Sequence, residues 1–185
     1  MRIPPGTYEL GPDDAQLMVH TRKAGAASKA GHNLLIDVRS WSATIEAGDD
    51  PAATSLRLSA DSGSLHVREG KGGIQALGDE EKASIRQSIA EDVLKGGTIE
   101  FHSTKVEPSA DGGPLEVQGE LDLLGTKRPL TFELNTTDDG RLSGTATVRQ
   151  TDFGIKPYSA LFGTLKVVDE VEVEFDGKLP GAAAG

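Results

Sequence analysis

Cysteine is absent from the 185 residues of this chain. Disulfide bonds, thiolate nucleophiles and cysteine-ligated metal sites are therefore excluded. The absence also removes any cysteine pattern that would indicate an oxidising compartment.

Basic residues are scarce relative to acidic ones. The chain has 19 lysines and arginines against 29 aspartates and glutamates, a formal net charge of -10. Nucleic-acid binding needs a basic surface that neutralises phosphates, so we expect no nucleic-acid partner. The same balance predicts no docking by charge onto an anionic membrane face.

Long hydrophobic runs are missing as well. A secretory signal has roughly 7–15 apolar residues after a basic start, and the segment from Met1 to Gly6 contains no such run. No stretch is long enough to cross a bilayer, so we expect no integral membrane segment. These absences predict a cytoplasmic location, although a chain whose signal had been removed would look the same.

The chain does contain clear alternation of apolar and polar residues. Residues 116–123, 130–134 and 171–175 all show it. Successive side chains of a strand point to opposite faces, so this pattern predicts a sheet with one wet and one dry face. Strands are predicted at about 7–10, 15–22, 33–46, 54–61, 64–68, 98–107, 115–123, 129–136, 141–150 and 165–177.

The connections between these segments are mostly short and rich in glycine and proline, which favours antiparallel neighbours. One domain over residues 1–179 is expected, followed by a disordered tail at 180–185. The strand near Leu34 changes phase between Val38 and Trp41. A bulge near Arg39 and Ser40 would restore a common dry face, and a strand buried on both faces would also fit.

One segment has helical rather than strand periodicity. Ile85, Ile89 and Val93 recur every four residues, which predicts a helix over 79–94. Asp79 is the predicted N-cap, and Gly96 ends the helix. We expect this helix to pack over one end of the sheet or across its side.

Motifs for catalysis or metal binding are weak. The four histidines, His20, His32, His66 and His102, lack short spacing, and three of them are predicted to face solvent, so no metal site is expected. Ser62 and Ser64 lie in a turn rather than in a nucleophile elbow. The loop at Gly70 lacks phosphate-loop spacing. The alternating carboxylates of 116–122 and 170–174 fall on the wet face, where they are solvated.

The dry face remains as the candidate site. Gly144 and Ala146 share a face with larger residues, and small inward residues leave volume that a neighbour or a ligand must fill. Close packing and an internal cavity stay open at this point. The dry-face residues are Leu17, Val19, Leu34, Ile36, Trp41, Leu58, Ile99, Phe101, Val117, Leu121, Phe132, Leu134, Val148, Val171 and Val173.

Several segments resemble, in order, motifs of the YceI-like family. Residues 119–130 resemble its G-x-L-t-l-x-G-v-t-r-P-v segment, and 149–155 resemble its R-x-D-F-G-i turn with one extra residue before the Asp. Residues 168–173 are similar to its closing strand, and 99–104 to its i-x-F-x-S-t strand. Gly31 to Leu34, followed by Trp41, looks like a variant of its first long strand.

The resemblance implies an all-β fold: an eight-stranded antiparallel lipocalin-like barrel with one α-helix. It also implies binding of a long apolar or amphiphilic ligand, such as a polyisoprenoid or an isoprenoid quinone, for transport, storage or stress response. No catalytic residue or other cofactor is expected. The predicted ligand-binding residues are Leu17, Val19, Leu34, Ile36, Trp41, Phe101, Leu121, Phe132, Gly144, Ala146, Phe153 and Phe162.

Two other functions stay open on sequence alone. An enzyme acting at the barrel mouth would draw on His32, Arg149 and Asp152, although Arg149 and Asp152 could simply pair across the turn before Phe153. A scaffold or stress protein would have a packed core and no cavity. A homodimer formed through a strand edge or a barrel side is also open.

Overall fold

The computed structural model describes residues 3–109 and 113–181, so the last four residues of the predicted tail lie outside the described residues. The described part is mostly β with a single α-helix, α1 (Asp79–Ser88). Its strands are β1 (Gly6–Leu10), β2 (Ala15–Thr21), β3 (Lys23–Ala24), β4 (Asn33–Val38), β5 (Trp41–Ala47), β6 (Ser55–Asp61), β7 (Leu65–Lys71), β8 (Thr98–Pro108), β9 (Leu115–Leu123), β10 (Thr126–Thr136), β11 (Arg141–Arg149), β12 (Ser159–Ala160), β13 (Leu165–Val167) and β14 (Glu170–Lys178).

The main sheet is antiparallel and strongly curled. Its hydrogen-bonded order is β1-β5-β6-β8-β9-β10-β11-β14-β2-β4-β7. Strands β1 and β2 are joined by a short turn, yet they stand far apart in this order. The sheet must therefore curl round to bring them together. Strands β12, β13 and β3 form a second, three-stranded sheet.

The main sheet has eleven strands where eight were predicted, because three long segments are interrupted. The segment that contains β1 and β2 breaks at Gly11–Asp14, where Asp14 N–H donates to the Gly11 carbonyl in a turn. The segment that contains β6 and β7 breaks at Ser62–Ser64, where the Asp61 carboxylate accepts a hydrogen bond from Gly63 N–H at 2.8 Å. Such side-chain-capped turns bend the backbone out of the ladder.

The interruption at Arg39 and Ser40, between β4 and β5, explains why the apolar residues change parity there in the sequence. Ile36 and Val38 before it and Trp41 and Ile45 after it are all buried, so the two halves share one dry face. Backbone hydrogen bonds from Arg39 N–H to Ser64 and from Asp61 N–H to Ser40 hold the bend. The slip in β4–β7 pairing lies at Leu35/Ile36, a few residues before the predicted bulge.

The N-cap of helix α1 is one residue earlier than predicted. Gly78 is the N-cap, and its N–H donates to the Glu81 carboxylate at 2.8 Å, so Asp79 is the first helical residue instead. The helix continues into a π-helical turn, Ile89–Val93. It packs beside β7, which is the last strand in the sheet order. No helix among the described residues is both long and apolar enough to span a membrane.

Candidate ligand-binding cavity

A cavity of about 560 Å³ lies inside the curl of the main sheet. This volume is within the range of about 300–1,000 Å³ that is typical of small-molecule sites. The strands supply most of the wall because their inward side chains alternate with solvated ones. The wall is predominantly apolar, with aliphatic residues from nearly every long strand, and Phe101, Phe132 and Phe175 are its phenylalanines.

Nine of the twelve predicted ligand-binding residues line this cavity. They are Leu17, Val19, Leu34, Ile36, Phe101, Leu121, Phe132, Gly144 and Ala146. The structure therefore brings together side chains from β2, β4, β8, β9, β10 and β11. Their contact with a ligand stays a prediction.

The other three predicted residues lie elsewhere. Trp41 is buried and contacts the wall residue Phe175 edge-on, with ring centroids 5.9 Å apart, but it does not itself line the cavity. Phe153 is buried in a short 3-10 turn, Gln150–Phe153. Phe162 is fully exposed at the tip of the loop between β12 and β13. Aromatic character alone did not separate wall, core and surface positions.

The small residues of β11 lie where the sheet opens. Strand β10 pairs with β11 only from Glu133 to Thr136, so the remainder of the two strands separates. A side chain at Gly144 would meet the Glu133 carbonyl at 2.8 Å, so this position is restricted by the neighbouring backbone. Ala146 lies beyond the part of β11 that pairs with β10, and it lines the cavity.

An aromatic pair forms part of the wall between β8 and β10. The rings of Phe101 and Phe132 are 5.5 Å apart between centroids and tilted by 59°. The Phe101 ring lies over Gly119, where an added Cβ would fall 2.4 Å from the ring. Glycine at this inward position therefore lets the ring approach the β9 backbone closely.

Sequence reasoning missed the contribution of α1 and of the second sheet to the wall. Ile85, Ile89 and Val93 line the cavity, as do Leu165 and Val167 of β13. The fourfold spacing of the helical residues was visible as an apolar stripe, and the helix was expected over one end of the sheet or across its side, but the spacing did not indicate that the stripe would line a cavity. No residue of α1 is fully buried, which is consistent with a cover over an open space.

The mouth of the cavity lies where its lining reaches exposed residues of α1 and the second sheet, among them Glu81, Tyr158 and Lys166. Lys23 and His32 also line it, and both are held in place. The Lys23 ammonium donates to the Gly31 carbonyl at 2.7 Å, and His32 Nε2 donates to the Gln75 carbonyl at 2.8 Å. Polar groups at the mouth and apolar groups inside suit an amphiphile.

The candidate catalytic groups do not converge. Arg149 pairs with Glu170 at 2.8 Å rather than with Asp152, and this contact raises the pKa of the Arg149 guanidinium. The Asp169 carboxylate accepts hydrogen bonds from the Thr151 hydroxyl and N–H, and the hydroxyl bond is the main reason its pKa is lowered. These contacts tie the turn to the start of β14, and of the three candidates only His32 touches the cavity.

The histidines are also separate from one another. His20 bonds to Glu174 at 2.7 Å, His66 donates from Nδ1 to the Ser64 carbonyl at 3.0 Å, and His102 stands 3.9 Å from Glu100. Within residues 3–109 and 113–181, no cluster of histidine and carboxylate side chains could hold a metal ion.

The chain is similar to known proteins in both sequence and fold. The family model of the YceI-like domain matches residues 8–179. Among solved structures, Burkholderia cenocepacia BcnA is similar, with 16% identity and a TM-score of 0.63 over 88% of this chain and 94% of that chain. The Campylobacter jejuni YCEI protein aligns with 17% identity and a TM-score of 0.49, over 77% of this chain and 84% of that one. No curated protein sequence matches the chain.

Proposed function

The chain belongs to the YceI-like family, and from that premise we propose that it binds a long apolar or amphiphilic molecule inside its curled sheet. The ligand class is a polyisoprenoid, an isoprenoid quinone or a lipid of similar shape. The protein would carry or store this molecule, or use it in a stress response, without changing it chemically.

The observation that carries this proposal is the apolar cavity of about 560 Å³. Each methylene moved from water into such a space contributes about 0.8 kcal/mol. A hydrocarbon chain can therefore be held without many polar contacts. A scaffold protein would instead fill this space with its own side chains.

We also propose that the sheet functions as a closed eight-stranded barrel. Two strand pairings support this proposal. Strand β4 pairs with β2, and β5, which follows β4 along the chain, pairs with β6. The path from β6 through β8, β9, β10, β11 and β14 leads back to β2. Counting each interrupted segment as one strand gives eight strands in a ring around the ligand, and the ring opens only where β10 and β11 separate.

The polar groups at the mouth set the direction of the ligand. Its apolar chain would lie against residues such as Leu17 and Leu134, which are buried and line the cavity. Its polar head would lie near Lys23 and His32, both of which line the mouth. No specific observation favours catalysis, because Arg149 and Asp152 face away from the cavity.

The first experiment is extraction of the purified protein with organic solvent, followed by mass spectrometry of the extract. The second is a titration of the extracted protein with geranylgeraniol, an isoprenoid alcohol. Trp41 is the single tryptophan of the chain and contacts the wall residue Phe175, so its fluorescence reports filling of the cavity. We expect a saturable change in fluorescence.

A matched pair of variants makes the titration specific. Ala146→Leu places three extra carbons inside the wall, and Thr147→Leu places the same group on the exposed face of β11. Displacing about three methylenes of ligand would weaken binding roughly 50-fold in Ala146→Leu. Thr147→Leu should bind as the parent does. An amphiphile-free extract together with equal binding by the two variants would refute the proposal.

A further inference from the structure

The basic residues at the cavity mouth are concentrated in one small region, which we call the rim sheet. It consists of residues 21–32 and 156–168 and contains β3, β12 and β13. These segments carry five basic residues, Arg22, Lys23, Lys29, Lys156 and Lys166, and no acidic residue, although the chain as a whole has a net charge of -10. Charge is thus strongly segregated within the molecule.

The two segments form one structural unit. β13 pairs with β12 on one side and with β3 on the other. Further backbone hydrogen bonds join Ala27 N–H to the Thr164 carbonyl at 2.9 Å and Val168 N–H to the Arg22 carbonyl at 2.8 Å. The five positive charges therefore stay close together.

These charges are not neutralised by local ion pairs. Among the described residues, none of the five basic side chains forms a salt bridge, whereas Arg68, Arg141 and Arg149 on the wall of the main sheet each pair with a carboxylate. Asp169 and Glu170 directly follow the rim sheet, but they are engaged with Thr151 and Arg149. A second acidic run at the mouth, Asp79 to Glu81, lies in the first turn of α1. The rim sheet therefore presents a positive field to solvent.

An apolar tip projects from the same unit. Leu161 is 57% exposed, Tyr158 is 47% exposed and Phe162 is fully exposed. Leu161 and Phe162 both have positive φ angles, 51° and 56°, and the Thr164 hydroxyl donates to the Leu161 carbonyl at 2.7 Å across the turn. Two large apolar residues are thus fixed in an unfavourable backbone conformation in which Phe162 points away from the protein.

The tip stands beside the cavity mouth. Tyr158, Ala160, Leu165 and Lys166 line the cavity, and they belong to the same strands and turns as Leu161 and Phe162. A surface that contacts the rim sheet would therefore face the cavity.

We propose that the rim sheet docks onto an anionic phospholipid bilayer. The four exposed basic side chains, Arg22, Lys29, Lys156 and Lys166, contact lipid phosphates. Leu161 and Phe162 enter the boundary between headgroups and acyl chains. Turns at the opposite end of the sheet carry Asp49, Asp50, Asp138 and Asp139 and no basic residue over 48–54 and 137–140, so repulsion turns that end away. The net charge, which predicted no docking by charge, conceals this separation.

The test is flotation of the purified protein with vesicles of phosphatidylglycerol and phosphatidylcholine in equal parts, compared with phosphatidylcholine alone. The parent protein should float with the anionic vesicles and be released by high salt, because screening shortens the range of the charges. Replacing Phe162 with asparagine, which tolerates positive φ, should weaken binding to the anionic vesicles. Absence of binding by the parent protein would overturn the proposal.

A matched pair of double variants separates the rim sheet from net charge. Lys29→Gln with Lys156→Gln removes two charges from the rim sheet, and Arg39→Gln with Lys178→Gln removes two exposed charges elsewhere. Each charge near the membrane is worth about fivefold in binding, so the rim pair should lose about 25-fold and the other pair much less. Equal losses in the two pairs would refute docking through the rim sheet.

Docking is distinguishable from cavity binding. Lys29 and Lys156 do not line the cavity, so their replacement should leave the geranylgeraniol titration unchanged while vesicle binding falls. Vesicle binding by a protein whose cavity takes no isoprenoid would refute the proposed function and leave the docking surface standing.

Discussion

One end of the molecule is closely packed, and its residues Val106, Leu115 and Val117 are each at most 2% exposed. Helix α1, at the other end, has no buried residue. These three residues come from the part of β8 and β9 where Pro108 pairs with Leu115, and none of them lines the cavity. We call this region the packed end. The opposite end, the mouth, consists of α1 and the rim sheet.

The two ends show how one alternating pattern serves two purposes. At the packed end, inward side chains pack against each other and are almost fully buried, as in an ordinary protein interior. Toward the mouth, β10 and β11 separate, and inward side chains line a space instead. Stability should therefore depend mainly on the packed end, and binding mainly on the mouth.

The largest expected effect is at the packed end. Leu115→Ala removes a side chain that is 2% exposed, and such core truncations destabilise proteins by about 2–5 kcal/mol. The matched variant at the mouth is Ile85→Ala on α1, whose side chain is only partly buried and lines the cavity. We expect it to cost about 1 kcal/mol.

Urea unfolding of both variants measures this difference through the transition midpoint at constant slope. The geranylgeraniol titration should give the reverse ranking, with Ile85→Ala the weaker binder. If Ile85→Ala proved as destabilising as Leu115→Ala, the distinction between the two ends would be wrong.

A smaller effect is expected at Gly119, which lies between the two ends. An added Cβ would fall 2.4 Å from both the His102 carbonyl oxygen and the Phe101 ring. Gly119→Ala should therefore displace the ring into the cavity and cost about 1–3 kcal/mol through overpacking. Ring displacement should also weaken isoprenoid binding.

Thermal unfolding and the fluorescence titration measure both effects of this substitution. Gln118→Ala, on the opposite face of β9, is the matched control and should change neither property appreciably. Parent-like binding by Gly119→Ala would show that the Phe101 ring does not shape the cavity.

The smallest effect is expected at the base of the rim sheet. The Thr151 hydroxyl lowers the pKa of Asp169, so the ionised carboxylate stabilises the folded state above its unfolded pKa, and this contribution disappears as pH falls through the folded pKa. Thr151→Ala should raise the Asp169 pKa toward its ordinary value, so the contribution is lost at a higher pH. A carbon NMR titration of the Asp169 carboxyl group measures the shift; Thr151→Ser, which keeps the hydroxyl, is the control. An unchanged titration in Thr151→Ala would remove the hydroxyl as the cause.

Much of the wall could be read from the sequence because side-chain alternation is a local property. Leu17, Leu34, Leu121 and Phe132 are four cavity residues identified in this way. Phe153 and Phe162 could not be placed, because their surroundings depend on turns whose geometry the periodicity of strands does not describe. The contribution of α1 was missed for a related reason: its apolar stripe was evident, but its packing partner was not.

The sequence by itself determined which strand residues face inward, which part of the chain forms the helix and which family motifs occur in order, since each of these depends on neighbours along the chain. The tertiary structure decided the rest. The limited pairing of β10 with β11 leaves these two strands separate beside Ala146, and the pairing of β13 with β3 gathers five basic residues at the mouth. These features depend on contacts between distant segments, which neither composition nor periodicity records.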